Sequence, residues 1–130
     1  MEISGEERNK QKITKSKSKK METKKFDSNY ILLKEMYDDS YFPKKCVDKV
    51  AEQIKKVIVY IEKGGHSEDE IQTKLDKMTI EINNLMEYFE ENDSEIETVA
   101  RDSIGETVSY ILHYFNINID DEEAIREREW

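Results

Sequence analysis

After residue 30, apolar side chains recur along the chain at three- and four-residue steps, the spacing of amphipathic helices, and the recurrence breaks at several turn signals. The broadest stripe comprises Ile96, Val99, Ala100, Ser103, Ile104, Thr107, Val108, Ile111, Leu112 and Phe115. An arc that wide must meet more than one neighbour, so it predicts a central helix. Ser94 with Glu97 three residues on matches a capping box and puts the start of that helix at Ser94. The small residues Ala100, Ser103 and Thr107 predict close approach by another helix, and Asn116-Ile117-Asn118 ends the pattern.

The flanking stretches follow the same logic. Asp27, Ser28 and Asn29 are all good N-caps, and Leu32, Leu33, Met36 and Tyr37 predict a short first helix over residues 30–37. Tyr41-Phe42-Pro43 forms a tight aromatic corner, with Pro43 opening a second helix over residues 43–63 whose stripe runs from Val47 to Ile61. Gly64-Gly65 stops it. Ser67 and Glu70 form a capping box for a third helix, whose seam of Ile71, Leu75, Met78, Ile82, Leu85 and Phe89 predicts one unbroken element. Asp120 can cap a last short helix, with Ile119 and Ala124 as a hydrophobic staple, and the indole of Trp130 is expected to pack onto the bundle or into a partner interface. The fold class is therefore all-α, a four- to five-helix antiparallel bundle over residues 27–130.

Composition adds an arm and a charge asymmetry. Residues 1–26 are rich in Lys, Glu and Ser with scattered apolar groups, which predicts a disordered Lys-rich arm. The formal charge of -9 conceals nine Lys or Arg against four Glu in residues 1–25, so the rest of the chain is strongly acidic. An acidic body repels nucleic acid and anionic membranes and attracts basic proteins at rates that fall with salt. Nucleic acid is expected to bind at most weakly, through residues 1–25, which lack aromatic residues for stacking. One cysteine, no apolar run near the length that spans a bilayer and no secretory signal point to a cytoplasmic protein.

Candidate chemistry is sparse. Eight carboxylates crowd residues 87–106 against Arg101 alone, but the resemblance to a calcium loop fails because Ile96 stands where that loop needs Gly. The acid pairs Asp38-Asp39 and Glu90-Glu91 sit at helix ends and read as turn chemistry rather than acid–base pairs. His113 has Tyr110 and Ser109 one turn back, which is no metal motif, and His66 reads as an exposed loop residue. Cys46, at the edge of the Val50/Ile54 stripe, reads as a small buried hydrophobe. Arg101 can pair with Glu97 one turn earlier. No cofactor or metal is expected.

The stretches YILLKEMYDDSYFP at residues 30–43 and FEENDSEIETVARD at residues 89–102, with the closing REREW, resemble a small bacterial family catalogued only as a domain of unknown function. The resemblance spans residues 29–130 and implies a bacterial cytosolic helical protein; that family has no assigned activity, ligand or catalytic residue to transfer. In an antiparallel bundle the start of the second helix lies at the same end as the end of the third and the start of the fourth. Asp38, Asp39, Tyr41 and Phe42 are therefore expected near Asp93, Glu95, Glu97 and Arg101 as one acidic, aromatic binding surface. The function expected is a non-enzymatic interaction or regulatory module that binds a basic protein partner, with a homodimer also permitted. The alternative is a small hydrolase or metal-dependent enzyme using the carboxylates near Asp93.

Overall fold

In the computed structural model residues 24–130 are described, and these form six helices and no strand: α1 Lys34–Asp38, α2 Lys44–Glu62, α3 Glu68–Asn83, α4 Met86–Glu91, α5 Thr98–Tyr114 and α6 Asp121–Ala124. The all-α expectation holds. Among the described residues no helix is long and apolar enough to cross a membrane. Expectations for residues 1–23 lie outside the described residues.

The α2 and α3 helices pack together as a hairpin around the Gly64-Gly65 turn, where both glycines take positive φ. Cys46, Val47, Val50, Ala51, Ile54, Val57, Ile58 and Ile61 are all buried along one face of α2. Each such aliphatic side chain contributes about 1.5–3 kcal/mol of transfer free energy. Burial pushes the Cys46 thiol up, away from the reactive thiolate. Ser67 caps α3 with the expected box: its side chain accepts from the Glu70 N–H while the Glu70 carboxylate accepts from the Ser67 N–H.

The third helix is not continuous. Asn84 N–H still reaches the Ile80 carbonyl, but helical bonding tightens at Leu85, whose N–H reaches only to the Ile82 carbonyl, and α4 begins afresh at Met86. The adjacent Asn83 uses its amide elsewhere, donating to the Glu127 carbonyl and accepting from the Glu129 N–H. Further along α3, Asp76 receives a two-pronged contact from Arg126 at 3.1 and 2.7 Å, and Gln72 bridges Asp76 and the Glu123 carbonyl. Polar side chains of α3 thus hold the segment after α6 in place, which buries Ile125 and Trp130.

Around α5 the core closes. Ala100, Ser103 and Thr107 are buried, and the element that approaches them is α1. The two hydroxyls also anchor it: Thr107 Oγ1 accepts from the Leu33 N–H at 3.1 Å and Ser103 Oγ donates to Glu35 at 3.0 Å. The first helix is shorter than its apolar pattern predicts, because Leu33 sits at φ 56 in the left-handed region and blocks helical continuation from residue 30. Asp27 makes an Asx turn to Asn29 instead of capping a helix. Phe26, assigned by sequence to the arm, packs at 5.3–5.9 Å from Tyr30, Tyr110, Tyr114 and Phe115, and its N–H donates to Glu62.

Candidate acidic surface between the aromatic corner and the start of α5

The corner after α1 is built by Asp39. Its carboxylate accepts from the Tyr41 N–H at 2.9 Å and its carbonyl from the Phe42 N–H at 3.1 Å, a turn in which the two adjacent rings pack edge to face at 5.1 Å. Phe42 drops into the core at 4% exposure, while Tyr41 stays 43% exposed. Phe42 is therefore buried in the core and not on the exposed surface where it was expected. Asp38 is engaged by Lys34 at 2.6 Å across one helical turn.

The other half comes from the α4–α5 junction, and here the sequence pattern misleads. Asp93 N–H bonds the Glu90 carbonyl and Ser94 N–H bonds the Phe89 carbonyl, with Asp93 at φ 58. That pair of bonds is a Schellman motif, so Ser94 closes α4 and does not open α5. The expected Ser94/Glu97 capping box is absent. Glu97 itself is the N-cap, its carboxylate accepting from Val99 N–H at 2.8 Å and Ala100 N–H at 3.3 Å. Between the two helices the chain runs extended, which buries Ser94 and Ile96 and turns Glu95 outward. The Ser94 hydroxyl is buried with no hydrogen-bond partner among the described residues.

The two halves converge through Tyr41. Partial burial and, after it, the negative charges of Glu95 and Glu97 push its phenol up, so both carboxylates lie within electrostatic reach of Tyr41 despite a separation of some fifty positions. Arg101 stands apart from them. Its guanidinium donates to Thr98 Oγ1 at 3.1 Å, the expected pair with Glu97 is not formed, and its side chain lines a cleft toward α6. Asp93, Glu90 and Glu91 are exposed, and among the described residues no grouping of three or more His, Cys, Asp or Glu is arranged to hold a metal.

Charge is segregated along the fold. Residues 78–130 carry three Arg against fifteen Asp or Glu, whereas residues 26–77 carry nine Lys against eleven acids. Lys55, Lys56, Lys63 and Lys74 line one groove of about 420 Å3 on the α2–α3 hairpin, together with Val59 and Tyr60. Sequence reasoning missed this because it averaged charge over the whole body. His66 is also not the exposed loop residue expected: it stacks on Tyr60 with ring centres 3.7 Å apart.

Neither the curated proteins nor the solved structures contain a significant match to the chain. The model of a family of unknown function, DUF5713, matches residues 26–130, beginning at the Phe26 that the fold packs against α5. Since that match covers most of its length, the chain belongs to the DUF5713 family of unknown function.

Proposed function

We propose that the protein is a non-enzymatic interaction or regulatory module of the cytoplasm, and that its acidic end docks a basic protein partner. Such a module shields a cationic surface in the way antitoxin-like and immunity-like proteins do. The observation that carries this reading is the convergence of the exposed Tyr41 with Glu95 and Glu97. An exposed tyrosine within electrostatic reach of two carboxylates offers apolar contact area with nearby charge, and aromatic residues are enriched at interfaces. The charge segregation adds long-range attraction toward a cationic surface.

The test compares the native chain with the double variant Glu95→Lys, Glu97→Lys in pull-downs from the source cell at low and high salt. The same basic protein should be recovered by the native chain at low salt, lost at high salt, and lost at both with the variant. A control variant on α3, Glu81→Lys, should retain it. Equal recovery by the charge-reversed variant would remove the acidic end from consideration, and sedimentation of the isolated chain separates partner binding from a homodimer.

A further inference from the structure

The chain after α5 lies along α3 in step with it. Glu68 accepts from the Asn118 N–H at 3.0 Å, and Gln72 donates to the Glu123 carbonyl at 3.0 Å. Asp76 takes both prongs of Arg126, and Asn83 donates to the Glu127 carbonyl at 2.8 Å and accepts from the Glu129 N–H at 2.9 Å. Residue numbers rise together on the two sides, so residues 118–129 run parallel to the helix. At 3.6 residues per turn, positions 68, 72, 76 and 83 fall within a sector of about 80°, and one face of α3 carries the whole set.

Apart from the Arg126 fork, these bonds end on main-chain atoms of the docked segment. Main-chain hydrogen bonds hold a segment whatever its side chains, and seats for particular side chains then fix its register, the division of labour by which proteins bind segments of other chains. A carboxamide suits the first task because it offers a donor and an acceptor side by side, and the Asn83 amide spans Arg128 in that manner. The second task falls to Arg126 on Asp76 and to the buried Ile125 and Trp130.

The segment is also organised to leave as a unit. Arg126 pairs with Glu123 at 2.8 Å and Arg128 with Glu122 at 3.2 Å, both inside the segment. Its bonds to α3, and the bond from Ser109 to Asp121, are solvent-exposed. Its buried apolar side chains are Ala124, Ile125 and Trp130, and the Trp130 indole N–H finds no acceptor among the described residues. Exposed hydrogen bonds and few buried apolar contacts mark the parts of a fold that open before the rest. The link to α5 is residues 115–120, which lie outside any helix and include Asn116 at φ 56.

We propose that this face of α3 is a docking face for a chain segment and that its occupant is exchangeable: residues 118–130 of a second copy take the place of the chain's own, joining two molecules by a reciprocal swap. The second copy is the occupant because it carries the segment whose fit is already displayed, Arg126 for Asp76 and Trp130 for its buried seat. The contacts are the same within one molecule and between two, so exchange costs the opening of residues 115–120 and the entropy of association. This interface is independent of the Tyr41 surface, and either can fail without the other.

Charge reversal across the Arg126 fork tests the exchange on the full chain, with Trp130, the one tryptophan, as reporter. Asp76→Arg and Arg126→Asp each set like charges against one another within a molecule. Each variant alone should be monomeric by sedimentation, with Trp130 emission to the red of the native chain. Mixed in equal amounts, the two restore opposite charges only between molecules. The mixture should hold at least about tenfold more dimer than either variant alone, with native emission regained. The native chain, refolded from urea at high concentration, should likewise yield a dimer with native emission that dilution returns to monomer only slowly. The proposal is overturned if the mixture stays monomeric or if either variant dimerises as readily alone. Where a variant has lost its helical circular dichroism, the refolded native chain decides, and the absence of that dimer overturns the proposal.

Discussion

The backbone N–H of Ser94 bonds the carbonyl of Phe89, five residues back, and this one bond assigns Ser94 to the end of α4 and leaves its hydroxyl buried without a partner. Ser94→Ala should therefore leave stability unchanged or raise it by up to about 1 kcal/mol, since it removes an unsatisfied polar group. Glu97→Ala should cost about 1 kcal/mol, the loss of an N-cap. Urea unfolding of the two variants reads the sign directly; a loss of about 1 kcal/mol at Ser94 would restore the capping box.

Phe26 joins residues before the first helix to the C-terminal end of α5. Phe26→Ala should destabilise the fold by about 2 kcal/mol, less than the 3–5 kcal/mol of a fully buried ring because this one is only half covered. Thermal unfolding checks it, and a change within about 0.5 kcal/mol would mean that the domain begins after residue 26.

Arg126 grips Asp76 with two nitrogens and Glu123 with a third, a fork that lysine cannot reproduce. Arg126→Lys should loosen the segment after α6 before the bundle unfolds. The expected readout is a red shift of Trp130 emission at denaturant concentrations where the helical circular dichroism is still native.

The Tyr37 hydroxyl donates to Asp48 at 2.6 Å, and burial together with that carboxylate pushes the phenol up to about 12. Because the folded value lies above the ordinary 10.0, the associated stability is complete below pH 10 and is lost as pH rises toward 12. Asp48 works in the opposite direction: hydrogen bonds from Tyr37 and Lys44 hold it below its ordinary 3.8, so its contribution is present above that value and is lost as pH falls beneath it. Absorbance titration of the phenolates should show a late component, to which Tyr41 and Tyr110 also contribute, that is reduced in Tyr37→Phe.

Periodicity reads well where a helix buries one clean stripe, as α2 does from Val47 to Ile61, and where a local motif has one meaning, as at Ser67 and Glu70. It fails where the same residues satisfy two motifs. Ser94-x-x-Glu97 fits a capping box, but Asp93 adopts the left-handed conformation that closes the preceding helix, and tertiary burial of Ile96 selects that outcome. The break at Asn84 lies beside Asn83, whose partners are more than forty residues away and outside any local window. Helix order alone is what puts the corner after α1 at the same end as the start of α5.

Among the described residues, negative charge is concentrated in residues 78–130, while residues 26–77 are nearly balanced, so the charge of this part of the molecule is distributed asymmetrically. A charged body approaching it exerts a torque before contact, so rotational search is narrowed during diffusion, and the orientation on arrival depends on ionic strength as much as the rate does.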